Sequence, residues 1–100
     1  MALEHLRESI TKGNLWLYIL KALEDRPSTP VEAKAAVKRA HSFAPATITF
    51  YSVLYKLRRE GLVRKSSDSF RSSYEITDKG KTELVRAKAL LSALSLELEG

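Results

Sequence analysis

Residues 47–63 read Thr47-Ile48-Thr49-Phe50-Tyr51-Ser52-Val53-Leu54-Tyr55-Lys56-Leu57-Arg58-Arg59-Glu60-Gly61-Leu62-Val63. At roughly 100° per residue, Phe50, Leu54, Leu57 and Gly61 fall in one narrow sector, with Val53 on its flank. Thr49, Ser52, Lys56 and Arg59 fall opposite. The inner stripe has the spacing of a helix face packed on a core. The outer stripe carries hydroxyl and cationic donors of the kind that meet phosphate oxygens and base edges, although a plain solvated face has the same chemistry. Gly61 stands where a helix ends in a left-handed residue, a conformation that glycine adopts without a Cβ penalty. Leu62 and Val63 then open a strand. A helix with a basic outer face thus runs through a glycine stop into a strand.

The surrounding segments decide what such a helix is for. Upstream, Thr29-Pro30-Val31-Glu32 is a capping box: Thr29 at the N-cap, Pro30 at the first helical position and Glu32 three residues after the cap. The helix it opens is predicted to run to about Ala40, burying Val31, Ala35 and Val37 and exposing Lys34, Lys38 and Arg39. The turn His41-Ser42-Phe43-Ala44-Pro45 joins it to the next helix, making a helix-turn-helix. Before it, Leu15-Trp16-Leu17-Tyr18-Ile19-Leu20-Lys21-Ala22-Leu23 is apolar around most of its circumference, the pattern of a helix buried on several sides. Asn14 is its expected N-cap, and Arg26-Pro27 stops it because a residue before proline avoids helical geometry. Downstream, Leu62 to Ser66 and Arg71 to Thr77 flank the polar Ser67-Asp68-Ser69. The alternation of Tyr74 and Ile76 against Glu75 reads as a strand, so the whole is a β-hairpin with a basic tip at Arg64, Lys65 and Arg71. That tip either follows a DNA backbone or minor groove, or is an inert loop.

The two ends of the chain carry apolar stripes. Leu3, Leu6 and Ile10 recur at helical spacing before Gly13. After Thr77, a cap with Asp78 at the positive helix end, Leu84, Ala87, Leu91, Leu94 and Leu98 form a seam of about two heptads, broadened by Val85 and Leu90. The seam is expected to pack against Leu3, Leu6 and Ile10, within one chain or across a two-fold axis. The expected organisation is a single domain over residues 1–100, with an N-terminal helix at 1–12, a winged-helix core at 13–77 and a C-terminal dimerisation helix at 78–100. In fold class this is mainly α (α+β): a winged helix-turn-helix with a short β-hairpin wing and added terminal helices.

Composition narrows the function. The net charge is +5, and its placement matters more than its size. Between Lys34 and Lys88 there are 13 Lys and Arg against 5 Asp and Glu, a local balance of +8, while the ends carry 4 against 7. A polyanion is the fitting partner for such a patch. Membrane is a poorer one, because the basic residues do not share a continuous helix with a bulky apolar face. The absence of cysteine removes disulfides and thiolate metal sites. No stretch approaches the roughly 20 apolar residues of a membrane span, and no signal core opens the chain. A soluble protein of the cytoplasm, associated with the nucleoid, is the expectation. His5 and His41 lack carboxylate or cysteine neighbours, and no phosphate loop, nucleophile elbow or HExxH pattern occurs. Neither catalysis nor a cofactor nor a metal is expected.

Three stretches resemble the PadR-like transcriptional regulators: residues 12–23 (Lys12-Gly13-Asn14-Leu15-Trp16 onward), Thr49 to Val63, and Tyr74-Glu75-Ile76-Thr77-Asp78-Lys79-Gly80. The middle one is the most specific, with an aromatic near the helix start, spaced leucines and Glu-Gly-Leu-Val at the exit. The third is shared by many winged-helix regulators. The resemblance implies a homodimeric, repressor-type protein with the helix around Thr49 to Lys56 in a major groove, and Tyr51 at its DNA-facing start. Two features depart from the family pattern. Ser28-Thr29-Pro30-Val31-Glu32 replaces the usual aromatic-glycine opening of the second helix, and a single short helix forms the C-terminal part.

The expectation is therefore a sequence-specific regulator of double-stranded DNA, read by Lys38, Thr47, Thr49, Tyr51, Ser52, Lys56, Arg59, Lys65, Arg71 and Ser72. Thr49, Tyr51, Ser52 and Lys56 are placed at bases or adjacent phosphates, and Arg59, Lys65, Arg71 and Ser72 on the backbone. The competing reading is a winged-helix protein-interaction module within a transcription or replication assembly. That module would need the core pattern but not the outer Thr49, Ser52, Lys56 and Arg59.

Overall fold

The computed structural model describes residues 14–41, 44–66 and 72–99. Leu15–Asp25 forms α1, Pro30–His41 α2 and Thr47–Arg59 α3, followed by strands β1 (Val63–Lys65) and β2 (Tyr74–Ile76) and by α4 (Asp78–Glu99). This order is a winged helix. Leu3, Leu6, Ile10 and the expected helix at 1–12 lie outside the described residues, as does Arg71 at the hairpin tip.

Local sequence explains most of the boundaries. The capping box closes reciprocally: the Thr29 backbone N–H donates to Glu32 Oε1 at 2.9 Å, and the Glu32 N–H donates to Thr29 Oγ1 at 3.2 Å. Arg26 is extended before Pro27 and ends α1. Asn14 takes the N-cap position of α1, but its side chain makes no cap hydrogen bond; its carbonyl accepts from the Leu17 N–H instead. At the exit of α3, Gly61 is left-handed with φ 78°; its N–H donates to the Arg58 carbonyl and that of Leu62 to Leu57. That pair of bonds is a Schellman motif, and it needs the glycine the sequence supplies.

Leu15, Ile19, Leu20 and Leu23 of α1 form the centre of the core, against Phe50, Leu54 and Leu57 of α3 and Leu62, Val63, Tyr74 and Ile76 of the hairpin. Trp16, Leu17, Tyr18 and Ala22 are half-buried around them, so α1 is enclosed on several sides. One expectation fails on α2. Val37 is buried as expected, but Val31 is 71% exposed and Ala35 only half-buried, and Ala33 is buried in their place. Val31/Ala35 and Ala33/Val37 both have i, i+4 spacing in an alanine-rich helix, so the pattern leaves the azimuth open. The anchored entry fixes it: Ser28 pairs with Tyr74 as a single antiparallel bridge, joined by hydrogen bonds of 3.0 and 2.8 Å. The hairpin itself is antiparallel, with Val63 opposite Ile76, Arg64 opposite Glu75 and Lys65 opposite Tyr74.

The start of α4 locks the end of α3. Thr77 donates its hydroxyl to the Gly61 carbonyl at 2.7 Å and accepts from the Gly80 N–H at 3.1 Å, while its own N–H donates to the Leu62 carbonyl. Lys79 Nζ donates to the Glu60 carbonyl at 2.7 Å, a cation at the negative end of α3. Gly80 is buried where a Cβ would run into the Leu62 carbonyl oxygen and stand 2.7 Å from Ile76 Cγ1. The Thr77-Asp78-Lys79-Gly80 segment is thus a joint between α3, the hairpin and α4. Further along, Leu84 is buried in the core and Lys88 Nζ approaches Glu24 of α1 at 3.6 Å. From Ala89 to Leu98 every α4 residue is exposed.

Candidate nucleic-acid interface

With Phe50, Leu54 and Leu57 pinned inward, the outward ridge of α3 is fixed. Stepping by roughly 100° per residue from Ile48, the residues nearest its crest are Ser52, Tyr55 and Arg59, an i, i+4, i+7, i+11 row. Thr49 and Lys56 form one shoulder and Thr47 and Arg58 the other. All of these side chains are exposed. The expected Thr49, Ser52, Lys56 and Arg59 therefore do share one face. Sequence reasoning passed over Ile48 and Tyr55, because outer positions were chosen by polarity; helical spacing alone would have found both. Ile48, at 82% exposed, is the barest apolar side chain among the described residues.

The first turn of α3 abuts α2. Lys34 Nζ donates to Thr47 Oγ1 at 2.7 Å, so Thr47 is held by a cation from the neighbouring helix, a link the sequence did not reveal. Tyr51 is half-buried rather than on the crest; its ring packs edge-on to Phe50 at 6.1 Å between centroids and tilted to Tyr55 at 5.8 Å. It lines a groove of ≈ 350 Å³ between α2 and α3, with Pro30, Val31, Lys38 and Pro45. Lys38 thus faces the same side as the start of α3. No acidic residue sits in the first turn of α3, and Lys56, Arg58 and Arg59 crowd its last.

The wing divides its basic residues. Arg64 is spent within the hairpin: its Nε and Nη2 both reach Glu75 Oε2 at 2.8 Å, across the strand pair. That hydrogen bond, with the charge of Arg64 and a lesser bond from Ser66, holds the Glu75 carboxyl below the usual carboxylate range despite the opposing effect of desolvation. Lys65 is exposed and, among the described ion pairs, meets no carboxylate, as is also true of Lys38, Lys56, Arg58 and Arg59. Ser72 is exposed with φ 49°, a left-handed residue leading back from the tip into β2.

The residues expected at a dimer seam divide along α4. Leu84 belongs to the core of its own chain and Ala87 is half-buried, whereas Leu91, Leu94 and Leu98 are exposed, together with Leu90 and Leu96. Among the described residues no helix is long and apolar enough to cross a membrane, and no three His, Cys, Asp or Glu side chains converge on one point.

A helix-turn-helix whose second helix is capped into an antiparallel hairpin, with a cationic outer face, defines a winged-helix DNA-binding protein. Residues 19–86 match the PadR-like family of transcriptional regulators, and the chain belongs to that family. It is a DNA-binding transcription regulator, in a family of regulators rather than of enzymes. A candidate transcriptional regulator of Thermoplasma acidophilum is 30% identical, with a TM-score of 0.69 over 93% of this chain and 93% of that one. A PadR-like transcription factor of Bacteroides fragilis is 22% identical, with a TM-score of 0.78 over 95% and 96% of the two chains. For a PadR-like regulator of Bacillus cereus the identity is 22% and the TM-score 0.76, over 91% and 93%. At 22% identity these two likenesses concern the fold. No curated protein matches the chain.

Proposed function

We propose that the protein is a homodimeric, repressor-type regulator that lays α3 in the major groove and the wing along the backbone or minor groove. The observation that carries this reading is the outer face of α3, where the exposed row Ile48, Ser52, Tyr55 and Arg59 is flanked by Lys56 and Arg58. Thr49, Ser52 and Lys56 approach base edges or adjacent phosphates, with Tyr51 at the edge of the groove. Thr47, Lys38, Arg59, Lys65, Arg71 and Ser72 hold the backbone. Two copies join through Leu91, Leu94 and Leu98 of α4, with Leu3, Leu6 and Ile10 of the first segment against them. Half-sites then lie about one helical turn, ~10 bp, apart.

Titration of duplex DNA against salt tests the groove reading. Affinity falls steeply, with log K against log salt sloping by about −0.9 for each phosphate neutralised. Binding that is absent at low salt, or insensitive to salt, overturns it. Light scattering at the same protein concentration tests the dimer, and a monomer there overturns the two-fold arrangement.

A further inference from the structure

We propose that Ile48 is a specificity-determining residue that reads the 5-methyl group of a thymine in each half-site. The inference rests on the reading that α3 enters the major groove, and it adds the chemical group recognised there. Ile48 is the second residue of α3 and lies on the crest of its outer ridge, in line with Ser52, Tyr55 and Arg59. It is 82% exposed, while the helix buries Phe50, Leu54 and Leu57. An isoleucine there gains nothing from the core, and its branched side chain is a weaker helix former than alanine or lysine.

What DNA can offer such a side chain is limited. Ile48 has no donor for a phosphate and no donor or acceptor for a base edge. Among the base edges displayed in the major groove, the thymine C5-methyl is the one apolar group larger than a hydrogen. The N-terminal residues of a recognition helix are those that reach base edges. The neighbours complement this role: Thr49 and Ser52 flank Ile48 with short hydroxyls that reach polar edges, and Lys56 and Arg59 lie further along for the phosphates. An apolar tip among polar neighbours therefore selects for a methyl-bearing base at one position.

The methyl alone can be removed from DNA by replacing thymine with deoxyuridine, which leaves base pairing and every hydrogen-bonding group unchanged. The test takes the duplex that the parent protein selects from a random pool and replaces each thymine singly. Kd is measured for the parent and for Ile48→Ala. One position per half-site should weaken parent binding about fourfold, the equivalent of ~0.8 kcal/mol for one buried methylene-sized group. Ile48→Ala removes the contact in both half-sites at once, so it should bind the thymine duplex about sixteenfold more weakly, show no further loss with deoxyuridine at that position, and keep the parent melting temperature. If no thymine matters to the parent, or if the deoxyuridine penalty persists in Ile48→Ala, the proposal is overturned while duplex binding stands. If the parent enriches no duplex from the pool, the groove reading itself falls, and this inference with it.

Discussion

Gly80→Ala sets two physical effects against each other, and the structure decides the sign. Gly80 is the third residue of a 22-residue helix, where replacing glycine by alanine ordinarily stabilises by about 1 kcal/mol. Here the new methyl would collide with the carbonyl oxygen of Leu62, while Leu62 C lies 3.1 Å and Ile76 Cγ1 2.7 Å from it. The main obstacle is backbone, so no side-chain rotation relieves it. The first turn of α4 must lift away from the α3–β1 junction. Lifting weakens the bond from the Thr77 N–H to Leu62 and the 2.7 Å bond from the Thr77 hydroxyl to Gly61, each worth about 1 kcal/mol net. Loosened packing of Ile76 adds about 1 kcal/mol more, within the range of overpacked sites. Roughly 3 kcal/mol of loss against about 1 kcal/mol of gain leaves a net destabilisation of about 2 kcal/mol. For a chain of this size that lowers Tm by roughly 8–16 °C. Thermal and urea unfolding at one fixed protein concentration measure it, since the proposed dimerisation would make Tm concentration-dependent. Lys81→Ala, exposed one residue later, is the control and should move stability by less than about 0.5 kcal/mol. A Gly80→Ala protein as stable as the parent, or more so, would refute the close approach.

Thr77→Ala should cost about 2 kcal/mol in urea unfolding, because it removes a helix cap and the hydroxyl bond to Gly61, while Thr77→Ser should keep most of that stability; equal losses would mean that the methyl matters and the hydroxyl does not. Leu91→Glu should turn the proposed dimer into a monomer by light scattering with a fold unchanged by circular dichroism. Each copy loses an apolar contact of about 1.5 kcal/mol or more, and two-fold symmetry doubles it to ~3 kcal/mol, over a hundredfold in dissociation constant. The carboxyl of Glu75 titrates below its unfolded value because Arg64 donates to it, so its stabilisation is complete above the ordinary glutamate pKa of about 4.3 and disappears as pH falls through the lower folded value. Glu75→Gln should therefore flatten the decline of the urea midpoint between about pH 5 and pH 3, and an unchanged decline would place acid sensitivity elsewhere.

The parts of this fold that were legible in the sequence share one property: a residue there has few alternatives. Gly61 is left-handed, Thr29 and Glu32 cap each other, and Phe50, Leu54 and Leu57 face inward, each by a local constraint that no tertiary contact needs to settle. On α2 the burial of Val37 was legible but its companion was not, since Val31/Ala35 and Ala33/Val37 have the same spacing until the Ser28–Tyr74 bridge anchors the entry. Within the candidate interface, spacing identified the outer face, and choosing by polarity passed over Ile48 and Tyr55, which share that face. The bond between Lys34 and Thr47 spans 13 residues and two helices, so only the packing of α2 on α3 brings it about. Arg64 shows what charge alone leaves out: the strand register sets it opposite Glu75, a partner that the basic tip did not reveal.

One helix links these local constraints to the proposed assembly. The first turn of α4 holds the carbonyls of Glu60, Gly61 and Leu62, and so fixes where α3 stops and where the wing leaves it. Its middle is fastened to α1 through Leu84 and the Lys88–Glu24 contact. Beyond that point the exposed leucines have, among the described residues, no neighbour in their own chain that buries them. At 1.5 Å per residue, the helix runs about 33 Å from the joint to its end. If the leucines meet their copies, the separation of two recognition helices is set by the same rigid element that terminates each one. Specificity for half-site spacing would then depend on α4 as directly as specificity for bases depends on α3, although α4 itself need touch no DNA.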